Sequence, residues 1–292
     1  MINFHKYGFL DVNKLRRYLD DKHIWLSRFN PVWMFIWKDY YKFEISYDNE
    51  FAYIRFLMPD IGLCYYPPLA LANAKIEDGV KRIMADAKEL GIDFNMAPLN
   101  KDLSLKLEMT NLRFKENEKF KSYIYQTEDL CYYSKNKQAK KALKKFDKMH
   151  KDAYYRAIKK EDFPQILEFI ENWHLNQKEI DDILYYAKLK SIKELFDHLY
   201  EFDLMAIELL DENGIYGIVI SSIYDNLAYV HLFIGVDEIG VNEKLMSILA
   251  HETLRFARYI NLEEDMDSKV LEERYNYFKP FLLEKFYSTF RL

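Results

Sequence analysis

Two hydrophobic periods take turns along this chain. Residues 11–22 place Leu15, Tyr18 and Leu19 on one side and Arg16, Arg17, Asp20 and Asp21 on the other, which predicts an amphipathic helix. From Pro31, a residue favoured in the first helical turn, Trp33, Ile36, Trp37 and Tyr40 recur at helical spacing and predict a second helix with an aromatic core face. Residues 42–47 and 51–57 alternate as paired strands around a Tyr-Asp-Asn-Glu turn. The run Leu-Cys-Tyr-Tyr at 63–66 reads as a strand ended by Pro67 and Pro68, neither of which can donate a ladder hydrogen bond. Residues 77–90 form a clear amphipathic helix stopped by Gly91, and a short strand at Phe94 and a helix near Leu103 follow.

The second half repeats the two periods in another order. A strand is predicted at 153–158, helices at 162–173 and 178–200, and successive antiparallel strands at 204–210, 216–223 and 227–234, with turns at 211–214 and 224–226. Asn242 can cap the next helix, whose apolar positions are Leu245, Ile248, Leu249, Leu254 and Phe256. Tyr259 and Ile260 start a new strand, and the acidic Glu263, Glu264 and Asp265 leave its C-terminal end. A further helix then leads to a buried closing strand at 280–287. Ligands in such α/β units sit beside the carboxyl ends of strands.

Several segments resemble one family. Asn261, the Glu263-Glu264-Asp265 triplet, Leu271, the turn at 277–280 and the FLLEKF strand look like the C-terminal block of the phosphatidylglycerol lysyltransferase C-terminal domain family. Upstream, NPVWMFIWKDYYKFEI (30–45), YYPPLA (65–70), YIYQTEDL (123–130) and a lysine-rich helix ending in Phe146 fall in the family's order, so the resemblance spans nearly the whole chain. It implies an α/β fold of mixed sheets arranged as two tandem GNAT-like (N-acetyltransferase-type) domains. These would be an N-terminal domain at 1–130, a connecting basic helix at 131–152 and a C-terminal domain at 153–292. The fold is also similar to that of Fem-type aminoacyl transferases, which take amino acids from aminoacyl-tRNA. The function implied is transfer of an aminoacyl or acyl group to an amine or hydroxyl; the alternative is a diverged, non-catalytic GNAT-like binding module.

Composition narrows the setting. A chain of 292 residues, 50% hydrophobic and 17% aromatic, with 8 Gly and 7 Pro, is ordered and long enough for two cores. A net charge of −5 gives no global attraction to nucleic acid or an anionic membrane, so such a contact needs a local patch. No apolar run approaches the ~20 residues of a membrane-spanning helix, and the N-terminus lacks the apolar core of a signal peptide; a cytoplasmic protein without membrane insertion is expected. Cys64 and Cys131 lack metal-ligand or disulfide spacing, so they are expected to be buried thiols, and no metal site is predicted.

The local patch is the helix at 135–151. Lys135, Lys137, Lys140, Lys141, Lys144, Lys145, Lys148 and Lys151 are opposed only by Asp147, while Ala139, Ala142, Leu143, Phe146 and Met149 recur at helical spacing. The face is either merely solvated or an anion site; in the second case Lys137, Lys140, Lys141, Lys144 and Lys148 bind an anionic substrate such as aminoacyl-tRNA. Where the family carries Lys-Lys-Arg-Asn, this chain has Ala139, Lys140, Lys141 and Ala142, which loses the guanidinium fork.

Candidate chemistry lies further on. In an acyl-CoA-dependent GNAT enzyme, backbone N–H groups at the start of the helix after the central strand cradle a pyrophosphate. Here Asp237 and Glu238 put negative charge in that loop, with Gly240 and Lys244 beside them, which disfavours acetyl-CoA, and no cofactor is expected. Asn261, Glu264 and Asp265 match the family's strand-end pattern, where a carboxylate can hold or deprotonate an amine nucleophile, and His231 matches its preceding-strand histidine. Two alternatives stay open: the acids are a solvated loop, or His231 is a satisfied core group. No Ser/His/Asp order is evident in the sequence.

Overall fold

The computed structural model describes residues 1–19, 25–71, 74–175, 182–265 and 268–290. They fall into two compact units, Met1–Lys121 with Glu284–Leu292, and Ser122–Leu283.

The first unit opens with β1 (His5–Lys6) and α1 (Phe9–Arg16); residues 20–22 of the predicted first helix lie outside the described residues. In α2 (Pro31–Tyr41), the Asn30 side chain accepts the N–H groups of Val32 and Trp33 at 2.8 and 3.1 Å, capping donors that have no partner within the helix. The helix stops where Lys42 turns left-handed. Trp33 and Trp37 are buried, as the aromatic spacing predicts, and so is every residue from 31 to 37, so the core encloses more than one face. Strands β2 (Glu44–Tyr47), β3 (Phe51–Met58), β4 (Gly62–Tyr65) and β5 (Leu69–Ala70) extend an antiparallel sheet of order β1-β2-β3-β4, with β5 on β3. Helix α3 (Ile76–Leu90) ends at Gly91, whose φ of 68° suits a residue without a Cβ. The strand expected at Phe94 is reduced to a parallel bridge between Tyr65 and Met96, followed by α4 (Lys101–Leu107).

The second unit begins inside β6 (Lys115–Gln126). Then follow α5 (Thr127–Tyr132), α6 (Lys137–Met149), β7 (Tyr154–Ala157), α7 (Phe163–Leu175), α8 (Asp182–Asp197), β8 (Leu204–Asp211), β9 (Gly214–Tyr224), β10 (Leu227–Gly235), α9 (Val241–Thr253), β11 (Tyr259–Glu264), α10 (Lys269–Tyr277) and β12 (Leu282–Ser288). Residues 178–181 of the predicted helix at 178–200 lie outside the described residues. The sheet order is β12-β6-β11-β10-β9-β8-β7. Strands β7 to β10 pair antiparallel in succession, β10 and β11 run parallel across α9, and β6 pairs antiparallel with β11.

Both units therefore carry antiparallel strands, then a helix, then a parallel return, which is the GNAT-like order. Residues 122–152, divided by sequence between a first domain and a connector, belong to the second unit, where Tyr123, Tyr125, Leu130, Tyr133, Ala139 and Phe146 cluster with Val241, Leu245, Leu249 and Ile260. Register is the cause, since Tyr125 faces Ile260 across the β6–β11 ladder.

Three local expectations are corrected. Helix α9 starts at Val241 with Gly240 as its cap, so Asn242 is already inside the first turn and does not cap it. The helix ends at Thr253, which leaves Leu254 and Phe256 exposed beyond it. The closing strand β12 is not buried throughout: its faces alternate, and Leu283, like Phe281 just before it, is exposed. Cys64 and Cys131 are buried and unbridged, and burial raises both thiols' pKa values, Cys64 to about 12.

Candidate active site

The parallel pairing of β10 with β11 is short. Leu227, Ala228 and Tyr229 face Tyr259, Ile260 and Asn261; beyond them each strand continues along its outer neighbour, β10 to Gly235 opposite Gly217 and β11 to Glu264 opposite Ser122. Both strands are irregular here. The β9–β10 register shifts between Val230 and Leu232, at His231, and the β6–β11 register shifts between Asn261 and Glu264. Such bulges re-aim side chains.

In the second bulge Glu263 adopts φ 64°. A non-glycine residue there costs about 1–3 kcal/mol and persists only when its surroundings hold it. The Asn261 side chain supplies part of that hold, its Oδ1 accepting the Glu263 N–H at 2.7 Å. Asn261→Ala should therefore lower stability by about 1–2 kcal/mol by stranding a buried N–H. Urea unfolding of this variant beside Asn261→Asp, which keeps the acceptor, checks this; equal losses would contradict it.

The bulge turns Glu263 toward His231. His231 Nδ1 lies 2.8 Å from Glu263 Oε1, and Nε2 lies 2.8 Å from the Ser222 hydroxyl of β9. A carboxylate only accepts, so Nδ1 carries a proton; in the neutral ring Nε2 then accepts from Ser222. Ser222 and His231 are each 1% exposed and Glu263 7%, so the whole line is buried and its acidic end is the least covered. Lys188 of α8 belongs to this surrounding: burial pushes its ammonium pKa down while the charge of Glu263 opposes the shift.

The rest of the acidic segment is also ordered. The Tyr123 hydroxyl donates to Asp265 Oδ2 at 2.6 Å. Burial, then this bond and the carboxylate's charge, push the phenol far up, so it stays a donor. Glu264 and Asp265 are buried, which overturns the solvated-loop alternative.

The start of α9 is closed by packing. Gly240 has φ 89°, and a Cβ built there would lie 2.4 Å from the Ala142 carbonyl oxygen and 2.7 Å from Phe146 Cβ. Helix α6 thus rests on the loop before α9. His150, just past α6, stacks on Phe146 and places Nε2 2.7 Å from Glu238 Oε1. Glu238 is thereby engaged by a histidine. On the outer side of α6, Asp147 pairs with Lys244 at 2.8 Å. Lys137, Lys140, Lys141, Lys144 and Lys148 are exposed and form no ion pair among the described residues.

His231 lies within β10 and Asn261 within β11, Glu264 and Asp265 stand at the end of β11, and the lysines lie on α6. Sequence reasoning missed Ser222, Lys188 and, as a bonding partner, Glu263. The signal for Glu263 was present in the acidic triplet, but regular strand alternation gives no warning of a bulge. Ser222 and Lys188 are joined to the site only by tertiary folding.

Comparisons now place the chain. It belongs to the family described as phosphatidylglycerol lysyltransferase, C-terminal, which matches residues 26–287. Among solved structures it is similar to a conserved protein of unknown function from Bacteroides thetaiotaomicron VPI-5482, with 18% identity, TM-score 0.88, and 99% of each chain covered. It is also similar to L-PGS from Bacillus licheniformis, at 12% identity and TM-score 0.64, covering 94% of this chain and 90% of that one. FemX aligns at 9% identity and TM-score 0.61, with coverage of 98% and 97%. Comparison with curated proteins gives no match. Among the described residues, no helix is long and apolar enough to cross a membrane.

Proposed function

We propose that the protein transfers an aminoacyl or acyl group to an amine or hydroxyl acceptor at the end of β10 and β11. The observation that carries this reading is the hydrogen-bonded line Ser222–His231–Glu263, built on a strained backbone. Glu263 takes the proton from the nucleophile, and His231 steadies the carboxylate. The nucleophile's nitrogen or oxygen bonds to the donor's carbonyl carbon and the donor's ester C–O bond breaks. The departing oxygen takes the proton that Glu263 received, which returns Glu263 to its starting carboxylate. Asn261 and Asp265 hold the frame through Glu263 N–H and Tyr123, and Glu264 lines the strand end. The family name and the likeness to L-PGS and FemX support this class of reaction.

Aminoacyl-tRNA is the proposed donor, received by the α6 lysines. Acetyl-CoA is not, because α6 packs where its pyrophosphate would meet the backbone around Gly240. Binding through lysines releases condensed counterions, so affinity for bulk tRNA should fall steeply with salt. Replacing Lys137, Lys141, Lys144 and Lys148 together by Ala should flatten that slope by about one unit for each phosphate no longer neutralised. Filter binding across a salt series reads it; equal slopes for both proteins would remove tRNA from the scheme.

The direct test supplies bulk tRNA charged with labelled amino acids, with hydroxylamine as acceptor in one arm and phosphatidylglycerol vesicles in the other. Label should move to an acceptor. No transfer in either arm, with His231→Ala folded and equally silent, would favour the second reading, a binding module. The observation on that side is that both ring nitrogens of the buried His231 are already bonded.

A further inference from the structure

An unneutralised cation lies in the second unit. Arg274 of α10 donates from Nη2 to the Asn242 side-chain oxygen at 2.6 Å, and its guanidinium carbon sits 5.3 Å from the Phe233 ring centroid. Asn242 reaches this position because residue 235 is glycine: a Cβ there would meet Asn242 Oδ1 at 2.7 Å. A guanidinium has five N–H donors, and a neutral amide oxygen takes one of them. Among the described residues no carboxylate lies within ion-pair distance of Arg274. Glu243, one of the groups whose charge supports it, has its Oε1 bonded to the Tyr277 hydroxyl at 2.6 Å.

Three other arginines are treated differently, whereas the exposed Arg113, Arg255 and Arg258 also meet no carboxylate among the described residues. Arg55 meets Glu44 at 2.6 Å, Arg82 meets Asp48 and Glu50 each at 2.7 Å, and Arg156 meets Asp162 and Glu208 at 2.9 and 2.8 Å. In a chain with 47 acids against 42 Lys and Arg, an acid partner was readily available to evolution at this position too. Arg274 is half-buried, and this burial holds it below the usual arginine range against the opposing charges of Tyr275 and Glu243. A partly desolvated charge with no carboxylate in contact costs stability that a ligand anion would restore.

We infer that Arg274, with Asn242 and Phe233, is a recognition point for an oxyanion carried by a ligand, a carboxylate or a phosphate. The planar fork suits two oxygens side by side, Phe233 covers one face of the guanidinium, and the Asn242 Nδ2 donors make no bond among the described residues. Tyr275 links the point to the strand ends, since its phenol is raised by burial first, with Arg274 opposing and Glu263 and Asp265 adding to the rise. The assignment concerns binding and holds whether or not the protein transfers a group.

Calorimetry in a low-salt buffer free of other oxyanions tests it, with inorganic phosphate in one arm and acetate in the other. Wild-type protein is expected to bind at least one probe, and the arm that responds tells phosphate from carboxylate. Arg274→Met, which keeps the bulk and removes the charge, should weaken that binding tenfold or more. It should also unfold at the same or a higher temperature than wild type in probe-free buffer. Asn242→Ala keeps the cation but removes the amide's Nδ2 donors and its hold on Arg274 Nη2, so it should weaken binding by less than Arg274→Met does. Silence in both arms, undiminished binding by the Met variant, or a Met variant that unfolds at lower temperature would each overturn the assignment, the last by making Arg274 a packing residue. No transfer is measured, so failure here leaves the proposed reaction untouched.

Discussion

Glu263→Gln should lower group transfer by 10²–10⁴-fold, the range a positioned acid–base group supplies, while the protein stays folded. The amide preserves size and can still accept from His231 Nδ1 at the 2.8 Å seen for the carboxylate, but it cannot take a proton from a nucleophile. His231→Ala should fall in the same range, and the double variant should be little worse than either single one, because the two act as one unit. Ser222→Ala is expected to be milder, since Ser222 is the more covered end of the line. Single-turnover rates with labelled aminoacyl-tRNA measure this. A Gln variant within threefold of wild type would remove Glu263 from the chemistry.

Gly240→Ala is the second large effect, and it is one of stability. Two costs add: a side chain at φ 89°, and a methyl group driven against the Ala142 carbonyl at 2.4 Å and Phe146 Cβ at 2.7 Å. Neither obstacle is the free end of a flexible side chain. Left-handed strain of about 1 kcal/mol and overpacking of about 1–3 kcal/mol give a loss of about 2–4 kcal/mol. The urea midpoint should drop with an unchanged slope. A loss below about 0.5 kcal/mol, the scale of an ordinary surface change, would mean that α6 does not rest on this loop.

The elements were legible where a single period and a stop signal coincide. Helix α3 ends at Gly91 as its pattern predicts, and the three strands β8, β9 and β10 lie where alternation and turns put them. Helix α9 was legible in its body but not at its ends: Leu254 and Phe256 continue the apolar period past Thr253, after the chain has left the helix. The site was half legible. His231, Asn261 and the acidic triplet stand out as residue types, yet the bonding that joins them depends on two bulges, and a bulge changes which residue faces inward without changing composition. The duplicated strand–helix–strand order was invisible for a related reason. Tyr65 with Met96 in one unit and Tyr229 with Asn261 in the other are both parallel pairs of unrelated side chains, because backbone pairing fixes that order.

The ladder between β6 and β11 also sets a timetable for synthesis. Thr127 bonds Ala257 across 130 residues, and Tyr123 bonds Asp265 across 142, so the second unit's sheet cannot close while the ribosome has delivered only the elements up to α9. The first unit waits longer still: its Met96 N–H is accepted by Thr289, 193 residues away. The second unit can close only once β11 and Asp265 have emerged and the first only once Thr289 has, and an early translation product carries unpaired strand edges from both. Pairings this distant in sequence slow folding and leave partly made chains open to association. The nascent chain, more than the finished protein, is where a chaperone's protection would count.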